Sequence, residues 1–237
     1  MNMELKRCIN NRTCIYAILS CFLAFILGYF LLITIDHRTV ISLNDLYYSV
    51  YTVYSQFGFL IFPVIISYVF SIDYKDKNIL FYKMMGIKLV QFYLYKIAVL
   101  MISFTVGTLS ALLCVAFMYN DFTNIIFVSM KYLSVLIYII LMSSLFAFLF
   151  KNILGSFCVN LLVWILGIVS STIHPTFEYF CYYDASIERH KLFDEMLHNN
   201  TLNFKFICSD LGYDIIIFAI VILLINIFSK RWVKNGI

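Results

Sequence analysis

Apolar and polar residues separate along this chain on the scale of whole helices. Six stretches are almost purely apolar: Ile15–Ile35, Tyr47–Ile72, Ile97–Tyr119, Tyr132–Phe150, Ile153–Ile173 and Ile215–Ser229. None carries Asp, Glu, Lys, Arg or His in its middle. A helix crosses the hydrocarbon core with about 20 predominantly apolar residues. Five stretches reach that length or nearly so, and the last needs its flanks. The pattern predicts an all-α polytopic membrane protein with six transmembrane helices. The connections Asp36–Leu46 and Asn120–Lys131 are short, and the turn at Lys151 and Asn152 is minimal. The fourth and fifth spans are therefore expected to be antiparallel neighbours. Two longer connections remain, Asp73–Lys96 and His174–Asp214.

Composition supports this picture. The chain is 63% hydrophobic with a mean hydropathy of +0.92, outside the usual range of soluble domains. Its 237 residues leave no room beside six spans for a separate soluble domain, so residues 1–237 read as one transmembrane domain. Twelve of the 17 Lys and Arg lie on one predicted side. They are Lys6, Arg7, Arg12, Lys75, Lys77, Lys83, Lys88, Lys96, Lys151, Lys230, Arg231 and Lys234. The other side holds Arg38, Lys131, Arg189, Lys191 and Lys205. Positive residues favour the cytoplasm, so both termini are expected there. The first span is too long for a signal core, and no small-x-small cleavage site follows it.

Within the spans, small residues recur four apart. Ser103, Gly107 and Ala111 line one face of the third span, and Gly167 and Ser171 do so in the fifth. Such faces let helix backbones approach closely in lipid. Pro63 is expected to bend or loosen the second span. Tyr47, Tyr48, Tyr51, Phe92, Tyr93, Tyr95, Tyr119 and Tyr132 fall near predicted membrane surfaces and read as interfacial anchors.

The polar residues inside the apolar stretches are Gln56, Asn160, Asn226 and hydroxyls. Proton- or sodium-coupled transport usually needs ionisable groups there, so a proton relay is not expected. Cys8, Cys14, Cys21, Cys114, Cys158, Cys181 and Cys208 show no zinc spacing. Pairing of Cys181 with Cys208 is left open, because connectivity does not follow from sequence. His174 and Cys181, seven apart, suggest a membrane cysteine peptidase, but no third orienting group is evident. His190 and His198 are expected on a solvated face. No GxxxxGK[ST] phosphate loop is present, so no cofactor is expected in this chain.

Energy is then expected from another subunit. Asp73–Lys96 mixes charges with Ile79, Leu80, Phe81, Tyr82, Met84 and Met85. Ile79, Tyr82 and Lys83 have helical spacing, and Gly86 suits a left-handed helix end. Such a helix fits a membrane surface or a groove on a partner.

At this point the chain resembles the ABC-2 type permeases of ATP-binding-cassette exporters. These have six spans, both termini inside, a coupling helix between the second and third spans and an enlarged outer segment between the fifth and sixth. The local match is Phe70 and Asp73, a short helix around Asn78–Met85, Gly86, and Lys96 entering the third span. The family's frequent Gly-Thr is replaced by Lys77 and Asn78, and its usual Pro by Gly86 and Ile87. The resemblance implies coupling to an ATPase through Asp73, Lys75, Tyr82, Lys83 and Gly86. ATP is then bound by a separate ATP-binding-cassette subunit, beside a second permease subunit, with no nucleic acid partner. Short outer helices are implied within His174–Asp214, over aromatic residues such as Phe177 and Tyr183. Size points to the bacteriocin- and lantibiotic-immunity exporters, and the Ile-, Phe-, Asn- and Lys-rich composition suits an AT-rich bacterial genome. The expected cargo is an amphipathic or hydrophobic peptide antibiotic or drug. The cysteine peptidase and a non-transporting immunity or sensor protein stay open as alternatives.

Overall fold

The computed structural model describes residues 2–37, 40–150, 152–199 and 203–234. Arg38 and Lys151 of the charge bias lie outside these residues, and so do the side chains of Lys230, Arg231 and Lys234. A short helix α1 (Asn2–Asn10) leads into α2 (Thr13–Thr34). The second span is α3 (Leu43–Thr52), a π-helical turn (Val53–Phe57) and α4 (Gly58–Lys75) in one continuous run. Then come α5 (Asn78–Met84), α6 (Leu89–Tyr119), α7 (Ile125–Leu149) and α8 (Ile153–Ile173). A 3-10 turn (Pro175–Cys181) and α9 (Glu188–Asn199) cap the end opposite α1, and α10 (Phe204–Lys234) closes the bundle. Six of these runs are long and apolar enough to cross a membrane.

The helices begin and end where local chemistry dictates. Ser42 caps α3 by accepting the Asp45 N–H at 3.1 Å. Gln91 Oε1 accepts the Lys88 N–H at 3.2 Å at the start of α6. Asn120 closes α6 with φ of 52°. The Asp121 N–H then reaches the Ala116 carbonyl at 3.1 Å. The irregularity in the second span falls at Val53–Phe57, ahead of Pro63, which lies within α4.

Helix α7 is the most buried of the six spans among the described residues and packs against α3, α4, α6, α8 and α10. It is the axis of the bundle. Helices α2, α8 and α10 keep an outward row of large apolar side chains, such as Leu23, Leu166 and Ile216. Lipid tails solvate that row, so association needs close packing and hydrogen bonds instead. Both are present. A Cβ added to Gly107 would lie 2.9 Å from Ile18 Cα, so α6 meets the α2 backbone directly. Ser103 and Ala111 are buried on the same face. Hydroxyl pairs cross between helices at Tyr54 and Thr108 (3.0 Å), Tyr93 and Ser144 (2.8 Å), and Ser156 and Ser67 (2.7 Å).

Two expectations need correction. Tyr47, Tyr51, Phe92, Tyr93 and Tyr132 are not interfacial anchors, because all are fully buried. The helices run past the apolar stretches, so these rings fall inside the bundle. For the same reason the spanning helices do carry charges. Asp73, Lys96, Lys131, Asp210 and Asp214 all sit on them, buried. The sixth span starts at Phe204 rather than Ile215, which brings in both of its aspartates. The charges on the spanning helices lie toward the two ends of the bundle, whereas Asp184, from the segment after Cys181, lines a cavity with Tyr138 and Trp164 near the midpoints of α7 and α8.

Gly107→Ala is expected to destabilise the protein by about 1–3 kcal/mol, because the intruding methyl meets backbone. Gly212→Ala in α10 meets nothing within 4 Å and should be neutral or stabilising. Thermal unfolding in detergent compares the two.

Candidate functional site

The α4–α5–α6 elbow is shaped by two left-handed residues. Lys77 takes φ of 54° between α4 and α5, and Gly86 takes φ of 77° after α5. Gly86 N–H donates to the Lys83 carbonyl at 3.0 Å and Ile87 N–H to the Tyr82 carbonyl at 3.1 Å. This pair of bonds is a Schellman cap. Lys77 adopts without glycine the backbone that glycine favours, at the position where the resembling family has Gly.

Beneath the elbow lies a buried cluster of balanced charge. Lys96 Nζ pairs with Asp73 Oδ2 at 2.7 Å and donates to Glu4 Oε2 at 2.9 Å. Arg7 donates to Asp73, and Asn78 Nδ2 donates to Asp73 Oδ1 at 3.2 Å. The Tyr82 hydroxyl donates to Glu4. Helices α1, α4, α5 and α6 are therefore tied through two carboxylates and two cations. Burial pushes the Glu4 carboxyl up, but Lys96, the Tyr82 hydroxyl and Arg7 outweigh it and hold it below the ordinary glutamate range.

This arrangement sorts the residues of the elbow. Asp73 is inaccessible at the centre of the cluster. Tyr82 and Ile79 face inward and pack into the bundle. Lys75, Lys83 and Gly86 are exposed, beside exposed Phe81, Met84 and Met85. Met84 is 81% exposed. The elbow thus has a latched inner face and a free face that is apolar and basic.

A second cluster lies at the opposite end, and sequence reading missed it. Lys131 on α7 is 1% exposed and pairs with Asp210 on α10. Arg189 on α9 holds the other oxygen of Asp210 at 2.7 Å. The Phe206 ring lies 3.8 Å from Lys131 Nζ and 4.6 Å from the Arg189 guanidinium. The Tyr183 hydroxyl donates to Asp214 at 2.9 Å. The available signal was the four-residue spacing of Asp210 and Asp214, which puts both on one helix face.

His190 is the anchor of the cap and is not on a solvated face. It is 3% exposed and bonds Thr52 Oγ1 at 3.0 Å and the Tyr48 hydroxyl at 2.9 Å. Its ring stacks on Tyr51 at 5.0 Å. Burial, helped by nearby Lys131, pushes its pKa from 6.5 down to about 4. His198 is half exposed. His174 bonds Thr176 Oγ1 at 2.9 Å, while Cys181 is buried against Gly167 of α8. Burial, and then Asp184, push the Cys181 thiol up to about 12. That suits a packed thiol, not a nucleophile. Cys181 and Cys208 are both free. Among the described residues, no group of His, Cys, Asp and Glu is placed to hold a metal.

Six helices long and apolar enough to cross a membrane, with a latched elbow at one end of the bundle, fit a polytopic membrane permease. The whole chain, residues 1–237, matches the peptide export permease protein YydJ family. It is 30% identical over 243 residues to the probable peptide export permease protein YydJ of Bacillus subtilis (strain 168), covering all of both chains. The chain belongs to this family of peptide export permeases. No solved structure matches it.

Lys96→Met leaves two buried carboxylates to share Arg7 and is expected to cost about 3–5 kcal/mol. Tyr82→Phe removes one donor to a charged acceptor and should cost about 1.5–3 kcal/mol. Unfolding of both variants and their double mutant measures the coupling. At His190 the unfolded chain takes up a proton that the folded cap resists. The cap should therefore weaken as pH falls from 6.5 toward 4, by up to about 1.4 kcal/mol per unit. Hydrogen exchange in α9 should show this, and His190→Gln should abolish it.

Proposed function

We propose that this chain is the membrane subunit of an ATP-binding-cassette exporter that moves an amphipathic peptide outward across a bacterial plasma membrane. The observation that carries this reading is the two-faced α5. Its inner face is latched to the charge cluster, and its outer face leaves Phe81, Met84 and Met85 uncovered beside Lys83 and Lys75. A surface with this mixture suits a groove on a partner protein. The partner is an ATPase subunit, which binds and hydrolyses the ATP. The positive-inside bias supports a cytoplasmic position for this end, where the nucleotide is.

In this reading, closure of the ATPases pushes on α5. The push reaches α4 and α6 through Asp73, Lys96 and Glu4, because Tyr82 and Asn78 fasten α5 to that cluster. The outward row of apolar side chains on α8 and α10 supports contact with lipid and with a second permease subunit. The similarity to a probable peptide export permease supports peptide as cargo. A role in immunity to a peptide antibiotic follows from the same direction of transport.

Met84→Ser with Phe81→Ser should reduce co-purification of the ATPase at least tenfold while leaving the melting temperature unchanged. Lys83→Glu should act in the same direction. Tyr82→Phe should leave the ATPase bound but lower peptide export per ATP hydrolysed. Full co-purification with the double serine variant would refute docking on α5.

A further inference from the structure

A cleft of about 320 Å³ opens where α5, the start of α6 and the end of α10 meet. That volume is in the range of small-molecule sites, roughly 300–1,000 Å³. Its depth in the membrane follows from the spans. Leu89, the first residue of the third span, and Ser229, the last of the sixth, both line it. The apolar stretches stop there, so the cleft lies where hydrocarbon gives way to lipid headgroups.

The cleft has two unlike parts. Its polar rim carries Lys83 of α5, Lys88 at the start of α6, and Asn226 of α10. Both lysines are exposed, and among the described residues neither meets a carboxylate. No acidic residue lines the cleft among the described residues, so its charge is net positive. Asn226 is exposed one turn before the end of a span whose neighbouring outward residues, Leu223 and Ile227, are apolar. Among the described residues its side-chain amide has no hydrogen bond. A polar group that faces hydrocarbon without a partner is costly. The floor is apolar. Ile79 and Phe92 lie there, 3% and 1% exposed, beside half-buried Leu89 and Val90.

Two cations and an amide beside an apolar floor match a phosphate ester that carries hydrocarbon. Basic pockets between spans at a membrane face hold anionic headgroups. Free phosphate uses the rim alone, whereas a phospholipid also covers the floor. We infer that this cleft binds one anionic glycerophospholipid of the leaflet at this end of the bundle. Its phosphate pairs with Lys83 and Lys88, the Asn226 amide donates to an ester oxygen, and the first methylenes of its chains lie on Leu89 and Val90. The bound lipid joins the α5–α6 elbow to the last span. The inference does not rest on the export reading, since it concerns only this chain and its membrane.

The full chain, without an ATPase and in a mild non-ionic detergent, is titrated with phosphatidylglycerol, phosphatidylcholine or inorganic phosphate. Native mass spectrometry counts the bound lipid. One phosphatidylglycerol should bind per chain, about tenfold or more tighter than phosphatidylcholine, and excess inorganic phosphate should not displace it. Lys88→Gln should weaken phosphatidylglycerol binding about fivefold, and Lys83→Gln with Lys88→Gln about tenfold or more. Asn226→Leu should weaken it about two- to fivefold. These side chains are exposed, so the variants keep the fold, which the melting temperature in lipid-free detergent checks. Lys75→Gln removes the same charge outside the cleft and should leave binding unchanged. Equal binding of the two lipids, displacement by inorganic phosphate, equal losses in Lys75→Gln and Lys88→Gln, or unchanged binding by the double lysine variant overturns the site. Weaker lipid binding in Lys88→Gln and Asn226→Leu supports it whether or not an ATPase co-purifies, because neither residue belongs to the face proposed for docking.

Discussion

Asp73 has no access to water, and the fold is arranged around that fact. A carboxylate withdrawn from solvent survives only when cations and donors surround it. Arg7, Lys96 and Asn78 do so here, and each comes from a different helix. Pairing therefore fixes α1, α5 and α6 relative to the end of α4. The same constraint acts at the far end, where Asp210 binds Lys131 and Arg189 and so holds α10, α7 and the cap together. Between the two ends the helices are held by close backbone approach and hydroxyl pairs.

The two charged ends differ in what they leave free. At the α5 end all four core charges find partners, and the surplus is an exposed apolar and basic face. At the capped end Asp210 is paired with Lys131 and Arg189, but buried oxygens of Asp214 and Asp184 have no hydrogen-bond partner, nor do Asn160 Nδ2 and Trp164 Nε1.

The cap shows how a water-soluble composition is anchored on a membrane bundle. Helix α9 carries Glu188, Arg189, Lys191, Asp194 and Glu195, yet it buries His190, Phe193 and Leu197. Neutral His190 fits between Tyr48, Tyr51 and Thr52 because both ring nitrogens are bonded. Arg189 reaches over two aromatic rings to Asp210. Burial on one face and charge pairing at the edge are enough to order this segment.

Local chemistry alone determined much of this protein. Runs of about 20 apolar residues specify spanning helices because backbone groups in lipid must bond within the segment. The fifth span, Ile153–Ile173, coincides with α8 for that reason. Gly86 was legible as a helix stop, because only a residue tolerant of positive φ fits there. What sequence left undecided was pairing across distance. Lys131 and Asp210 are 79 residues apart, and Lys96 and Glu4 are 92 apart, so neither pair has a local signature. Helical spacing grouped Ile79, Tyr82 and Lys83, but only packing against α6 and Glu4 turned Ile79 and Tyr82 inward and left Lys83 outside. The cavity beneath the cap depends on the second span, α7, α8 and the segment around Cys181 converging, and tertiary structure alone brings Asp184 beside Asn160 and Trp164.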